Sequence, residues 1–192
     1  MRKLMLWMLF LLLCLPLAAA AESPAYQNES YGLSFTLPEG WSEISDERLV
    51  VFAGPEGGDT LLLIGLTGQT VDAGFAASFD ASVAETLMRE DPVFEDIVFA
   101  EVTSILFVSA TDAGGRLYAF NACVFAGEGF PDGFALFYMQ YFFTCESGEL
   151  GSVSLIAPAI EDSNSILGWF DAMVGENVPQ GVLEELNEQA GI

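Results

Sequence analysis

The chain has no histidine, and its only lysine is Lys3. Without imidazole there is no Ser-His-Asp triad, no Cys-His dyad, no histidine general base and no imidazole zinc site. Without lysine beyond position 3, Schiff-base and P-loop lysine chemistry are excluded from the body of the chain. Positive charge is scarce altogether. Arg2, Lys3, Arg48, Arg89 and Arg116 stand against 28 acids, for a net charge of −23. Such a field repels phosphate backbones and anionic lipid, so nucleic-acid binding is excluded, while cations and basic partners are attracted. Cysteine is sparse too. Cys123 and Cys145 lie 22 residues apart with no further thiol near them, which makes no metal knuckle. "GPEGGDT" has glycines but lacks the Gly-Lys-Ser/Thr ending of a phosphate loop and reads as a turn.

What is present begins with an export leader. In MRKLMLWMLFLLLCLPLAAAAES, two basic residues precede an apolar run, a Pro16 break and an alanine cluster, the layout of a cleavable signal peptide. Residues 1–21 are expected to be removed. The alternative is an uncleaved anchor, since the run from Leu4 to Ala21 is just long enough to span a bilayer. A lipid anchor on Cys14 is disfavoured because Leu13 stands where lipoprotein processing needs a small residue. Cleavage leaves 171 of the 192 residues, one domain's worth, with three arginines against 28 acids and hence a charge of 3 − 28 = −25. The expected location is secreted or extracytoplasmic, in a periplasm or at a cell surface, with no stable membrane insertion after cleavage.

Periodicity then divides the chain. In "YGLSFTLPEGW" the apolar Tyr31, Leu33, Phe35 and Leu37 alternate with small or polar residues, which predicts a half-buried strand ended by Pro38, with Trp41 capping the core. "RLVVFAGPEGGDTLLLIGLTG" predicts two further strands about a turn, the second apolar on both sides and central. From Asp72 to Glu90, Phe75, Phe79, Val83 and Leu87 recur every four residues, predicting one amphipathic helix capped by Asp72 that packs on the sheet. "IVFAEVTSILFVSA", "GRLYAFNACVFAG", "GFALFYMQYFFTC" and "GSVSLIAP" predict four antiparallel strands, the third mid-sheet because aromatics mark both its sides. Closing the second and third about "AGEGFPDG" sets Cys123 opposite Phe137 and leaves Cys145 roughly 27 Å away along the strand. That is too far for a disulfide, and two buried free thiols are expected. Ser163 caps a second helix with Ile166, Phe170, Met173 and Val174 inward and Trp169 at the margin. Residues 22–178 form one domain and 179–192 an acidic tail with a helical turn or two. A sheet apolar on both faces needs two covers. The expected fold class is therefore α+β, a three-layer α/β/α sandwich on a mainly antiparallel central sheet.

"YQNESYGLSFTLPEGW", followed by a meander, a long helix, antiparallel strands and a C-terminal helix, resembles the PsbP/Mog1-like superfamily, with its bacterial exported DcrB-like members. The resemblance covers Tyr26 to Val178. It implies a mostly non-catalytic role as an accessory or partner-binding module, and it carries over no catalytic, cofactor or metal residue. The chain departs from typical exported members in lacking a lipid-attachment cysteine.

Carboxylates are the remaining chemistry. They cluster at Glu43, Asp46 and Glu47; at Glu90, Asp91, Glu95 and Asp96; at Glu146 and Glu149; and at Glu161 and Asp162. With so many acids, adjacency by chance is expected, and a solvated skin outweighs catalysis. The expectation is an exported non-enzymatic binding or accessory protein with an unknown protein partner, basic in character. No catalytic, cofactor or metal residue is assigned. The alternatives weighed are a carboxylate-dependent glycan hydrolase acting through a converging acid pair and a calcium-binding envelope protein, for which no EF-hand-like loop is present.

Overall fold

A computed structural model describes residues 25–45, 50–54, 60–90, 101–126, 135–159 and 164–192. The expected leader, the expected Ser163 cap and the acids Asp46, Glu47, Asp91, Glu95, Asp96, Glu161 and Asp162 lie outside the described residues.

Among the described residues, nine strands and four helices run in the order β1 (Ala25–Asn28), β2 (Leu33–Thr36), β3 (Ser42–Glu43), β4 (Val50–Ala53), β5 (Leu61–Thr70), α1 (Ala73–Ser78), α2 (Ala81–Arg89), β6 (Glu101–Thr111), β7 (Leu117–Ala126), β8 (Leu136–Thr144), β9 (Glu149–Pro158), α3 (Asn164–Asn177) and α4 (Gln180–Ala190). Seven strands make one sheet in the order β3-β4-β5-β9-β8-β7-β6, with every neighbouring pair antiparallel. The last strand of the four-strand meander closes against β5, so the two halves of the chain join through β5 and β9. Tight turns enforce this. In "TDAGG", the Asp112 carboxylate accepts from the N–H of Gly114 and Arg116 at 2.8 and 3.0 Å, while Gly115 takes the left-handed conformation that a side chain disfavours.

Alternation along the strands sends successive side chains to opposite faces. One face packs on α3, α4 and the β1–β2 hairpin, joining Leu62, Ile64, Tyr141, Phe143, Val153 and Leu155 to Phe35, Trp41, Phe170, Met173 and Leu186. The other packs on α1 and α2, joining Leu63, Phe125, Tyr138, Ile156, Leu117 and Phe142 to Phe79, Ala84 and Met88. This is the three-layer arrangement that two-sided hydrophobicity requires. β8 lies inside the sheet between β7 and β9, and its Tyr138, Tyr141 and Phe142 are among the most deeply buried side chains.

Four features depart from the sequence expectation. The strand at Leu33–Thr36 belongs to a separate two-stranded sheet with β1, not to the main sheet. A side-chain amide substitutes for a third strand there: Asn177 accepts from the Ser34 N–H at 3.0 Å and donates to its carbonyl at 3.2 Å. The single helix from Asp72 to Glu90 is two helices, because Asp80 acts as a second N-cap and accepts from Ser82 and Val83, with Phe79 extended before it. Cys123 faces Tyr138, one position beyond the expected Phe137. The segment 179–192 is a packed helix rather than a tail. Val182 and Leu186 are buried, and Gln189 grips the outer edge of β6 by accepting from the Ser109 N–H at 3.2 Å and donating to its carbonyl at 2.9 Å. A blocked edge of this kind cannot pair with a second chain at that residue.

Candidate functional site

Among the described residues, the buried polar side chains are Asn121, Gln140 and Ser154, only 4, 2 and 1 % exposed. All three sit on the α2 face of the sheet. Register explains why: Asn121 pairs across β7–β8 with Gln140, and Gln140 pairs across β8–β9 with Ser154, which makes one polar row through apolar strands. Burying an amide without a partner costs about 1–3 kcal/mol, so such groups are found in pairs. Asn121 Nδ2 donates to Gln140 Oε1 at 3.2 Å, and the Tyr138 hydroxyl donates to Ser154 Oγ at 3.1 Å.

Beside this row, between α2 and the β6–β7 edge, lies a cavity of about 170 Å³. Asn121, Cys123 and Met88 are its buried residues, Val102 and Glu85 are half-buried, and Ser82 and Ser104 are exposed at its mouth. Helix α2 is held over it at one end by the Asp80 cap and by burial of Phe79 and Ala84. At the other end Met88 is anchored among Phe125, Tyr138 and Ile156. Glu85 is ion-paired one turn along with Arg89, whose Nη2 lies 2.6 Å from Glu85 Oε1. Burial pushes the Cys123 thiol up to about 12, with the Glu85 carboxylate adding to the shift and Arg89 opposing it. Cys123 is therefore protonated at neutral pH, and its Sγ lies 3.6 Å from the Tyr138 carbonyl oxygen.

The structure brings none of the described carboxylate clusters to this cavity. Glu43 lies exposed on β3, Glu90 is exposed past the end of α2, Glu146 is exposed in the β8–β9 turn, and Glu149 opens β9, where it accepts from the Ser147 hydroxyl. Among the described residues no group of three or more Cys, Asp or Glu side chains could hold a metal ion. A second depression of about 300 Å³ lies between α1 and the β6–β7 end, lined by Ala73, Ala76, Ala77, Ala110 and Leu117 with Glu185 at its margin. None of the three buried polar side chains lines it.

Sequence reasoning did not single out Asn121, Gln140 or Ser154. The signal was there: "AFNACVF" and "FYMQYFF" each set one amide in an otherwise apolar or aromatic strand. A lone amide in such a run marks a paired, buried polar group.

The architecture matches a known structure. The solution structure of cyanobacterial PsbP (CyanoP) from Synechocystis sp. PCC 6803 superimposes with a TM-score of 0.58, covering 83 % of this chain and 94 % of that one at 14 % identity. The chain has a PsbP-like fold. A Pseudomonas aeruginosa protein of unknown function, PA94, described as a putative regulator, matches over 83 % of this chain and 98 % of its own at 17 % identity. Its TM-score is 0.41 and adds nothing to the fold assignment. No family model and no curated protein matches the sequence. Among the described residues, no helix is long and apolar enough to cross a membrane.

Proposed function

We propose that this protein is an exported, non-enzymatic binding or accessory module with a PsbP-like scaffold, released outside the cytoplasm after loss of its leader, with a basic protein partner. The observation that carries the reading is the chemistry of the α2 face. Its recess is furnished with the Asn121 amide, the Ser82 and Ser104 hydroxyls, a Glu85 carboxylate ion-paired to Arg89 and a thiol held protonated near pKa 12. The amide and hydroxyls recognise by hydrogen bonds, and the protonated thiol does not attack at neutral pH. Export is supported by the basic, apolar and small-residue order of residues 1–21, and the basic partner by the −25 charge of the processed chain.

The test is affinity capture from an extracytoplasmic extract on the immobilised processed chain, with elution by rising salt. A stoichiometric, basic protein that leaves as ionic strength shortens the Debye length is the expected result. Absence of any stoichiometric partner at every salt concentration, or turnover of a glycan substrate by the purified chain, overturns it.

A further inference from the structure

We propose that the cavity beneath α2 binds a small uncharged molecule that carries a hydrogen-bond donor and an acceptor on one edge and an apolar body behind it, of the lactam or carboxamide class. The inference rests on the reading of the α2 face as a recognition surface, and it adds the chemical class of the ligand.

Size comes first. An apolar cavity of roughly 150 Å³ accommodates benzene, so the 170 Å³ available here suits a ligand of about six to eight non-hydrogen atoms. Polarity comes second. Asn121 is 4 % exposed and spends one N–H on Gln140. Its carbonyl oxygen and second N–H have no other partner among the described residues, and Asn121 lines the cavity. One residue fixed by a neighbouring amide thus offers an acceptor and a donor together. Ser104 and Ser82 add hydroxyls at the mouth, whereas Met88, Val102 and Ala81 supply apolar contact.

Charge decides the rest. The Glu85 carboxylate is already engaged by Arg89, and the Cys123 thiol is neutral, so the recess has no uncommitted charge with which to hold an ion. An anion also meets the field of a strongly acidic chain. A neutral ligand that can satisfy the remaining Asn121 groups replaces the water that would otherwise serve them, and its apolar body gains from burial.

The experiment uses the full processed chain and follows side-chain amide and methyl resonances while 2-pyrrolidone is added. The expected result is saturable movement of the Asn121 amide and Met88 methyl signals at about millimolar concentration, the affinity that so small a ligand can reach. N-methylpyrrolidone, which keeps the acceptor and loses the donor, should bind at least about fivefold more weakly. Acetate and pyrrolidinium should leave both signals unmoved. Asn121→Leu should weaken 2-pyrrolidone at least about tenfold, with unchanged Val153 and Leu155 methyl signals reporting an intact far face.

Should that variant not fold, Ala81→Leu, which fills the recess from the first turn of α2 without touching the Asn121–Gln140 pair, should abolish the shifts. Equal binding of 2-pyrrolidone and N-methylpyrrolidone, undiminished binding in the folded variant, or no saturable shift at Asn121 overturns the proposal. A chain that binds the lactam but captures no protein keeps this site and loses only the partner reading.

Discussion

Tyr141 and Phe142 are consecutive on β8 and only 1 and 0 % exposed, yet they look into different chemistry. Tyr141 points toward α3 and the hairpin, where it stacks on Phe143 at 5.3 Å and its hydroxyl escapes to the Asn177 carbonyl at 3.3 Å. That face is an aromatic and aliphatic jigsaw in which Tyr26, Phe35, Phe52, Trp41 and Trp169 meet ring against ring. Phe142 points toward α1 and α2, beside Gln140 and the cavity residue Asn121. The strands are shared, so the difference comes from single positions: among the described residues the α2 face carries all three buried polar side chains, and the α3 face none. A two-sided sheet can pack one side densely and leave the other with a polar row beside a cavity.

The largest effect expected on this contrast is at Phe170, fully buried from α3 on the dry face. Phe170→Ala should lower stability by about 3–5 kcal/mol in urea denaturation, because close-packed neighbours collapse poorly around the void. A loss under about 1 kcal/mol would show that the face is loosely packed. Gly151→Ala tests the same density from the opposite direction. An added Cβ would lie 2.6 Å from the Phe143 ring and 3.0 Å from Cys145 Sγ, so the variant should lose about 1–3 kcal/mol by overpacking.

On the polar face, Gln140→Leu should cost about 1 kcal/mol, the low end for a broken buried pair, because Asn121 borders a recess that water can enter. Asn121→Leu combined with Gln140→Leu should recover most of that loss, since no amide is then left unpaired; an additive double variant would contradict the pairing.

The smallest effect is alkaline. Burial raises Cys123 to about 12 on one face and Cys145 to about 11 on the other, Glu149 adding to the second shift. Both thiols stay neutral in the folded chain while the unfolded chain ionises from near pH 9, so stability is whole below that pH and falls as pH rises toward 11 and 12. Cys123→Ala and Cys145→Ala should each flatten part of that decline in a denaturation series from pH 8 to 11, and an unchanged slope in both would remove the thiols as its cause.

Much of the fold was legible in the sequence because burial writes itself as alternation. β2, β4, β5 and the four-strand meander all follow the apolar pattern, and β8 was placed inside the sheet by its two-sided aromatics. What escaped had a physical reason in each case. The four-residue repeat of Phe75, Phe79, Val83 and Leu87 runs straight across the break at Asp80, so periodicity could not see two helices where a cap divides one. The apolar Val182, Leu183 and Leu186 of α4 are interleaved with Glu184, Glu185 and Glu188, and acidity masked the buried stripe. β1 is mostly polar and owes its place to Tyr26 packing on Phe35 and Phe52. The one-residue difference at Cys123 arose because the length of a turn does not fix its register. The candidate site was least legible, since a cavity depends on how far α2 stands from β6 and β7, and spacing along the chain does not encode that distance.

Water contact measures the contrast between the faces most directly. In the chain without residues 1–21, magnetisation transfer from water should reach the Asn121 side-chain amide through the recess. It should not reach the Val153 and Leu155 methyl groups, which are completely buried on the α3 face. A dry Asn121, or transfer of equal strength to both faces, would contradict the division of this sheet into a dry packed side and a side with a water-accessible polar recess.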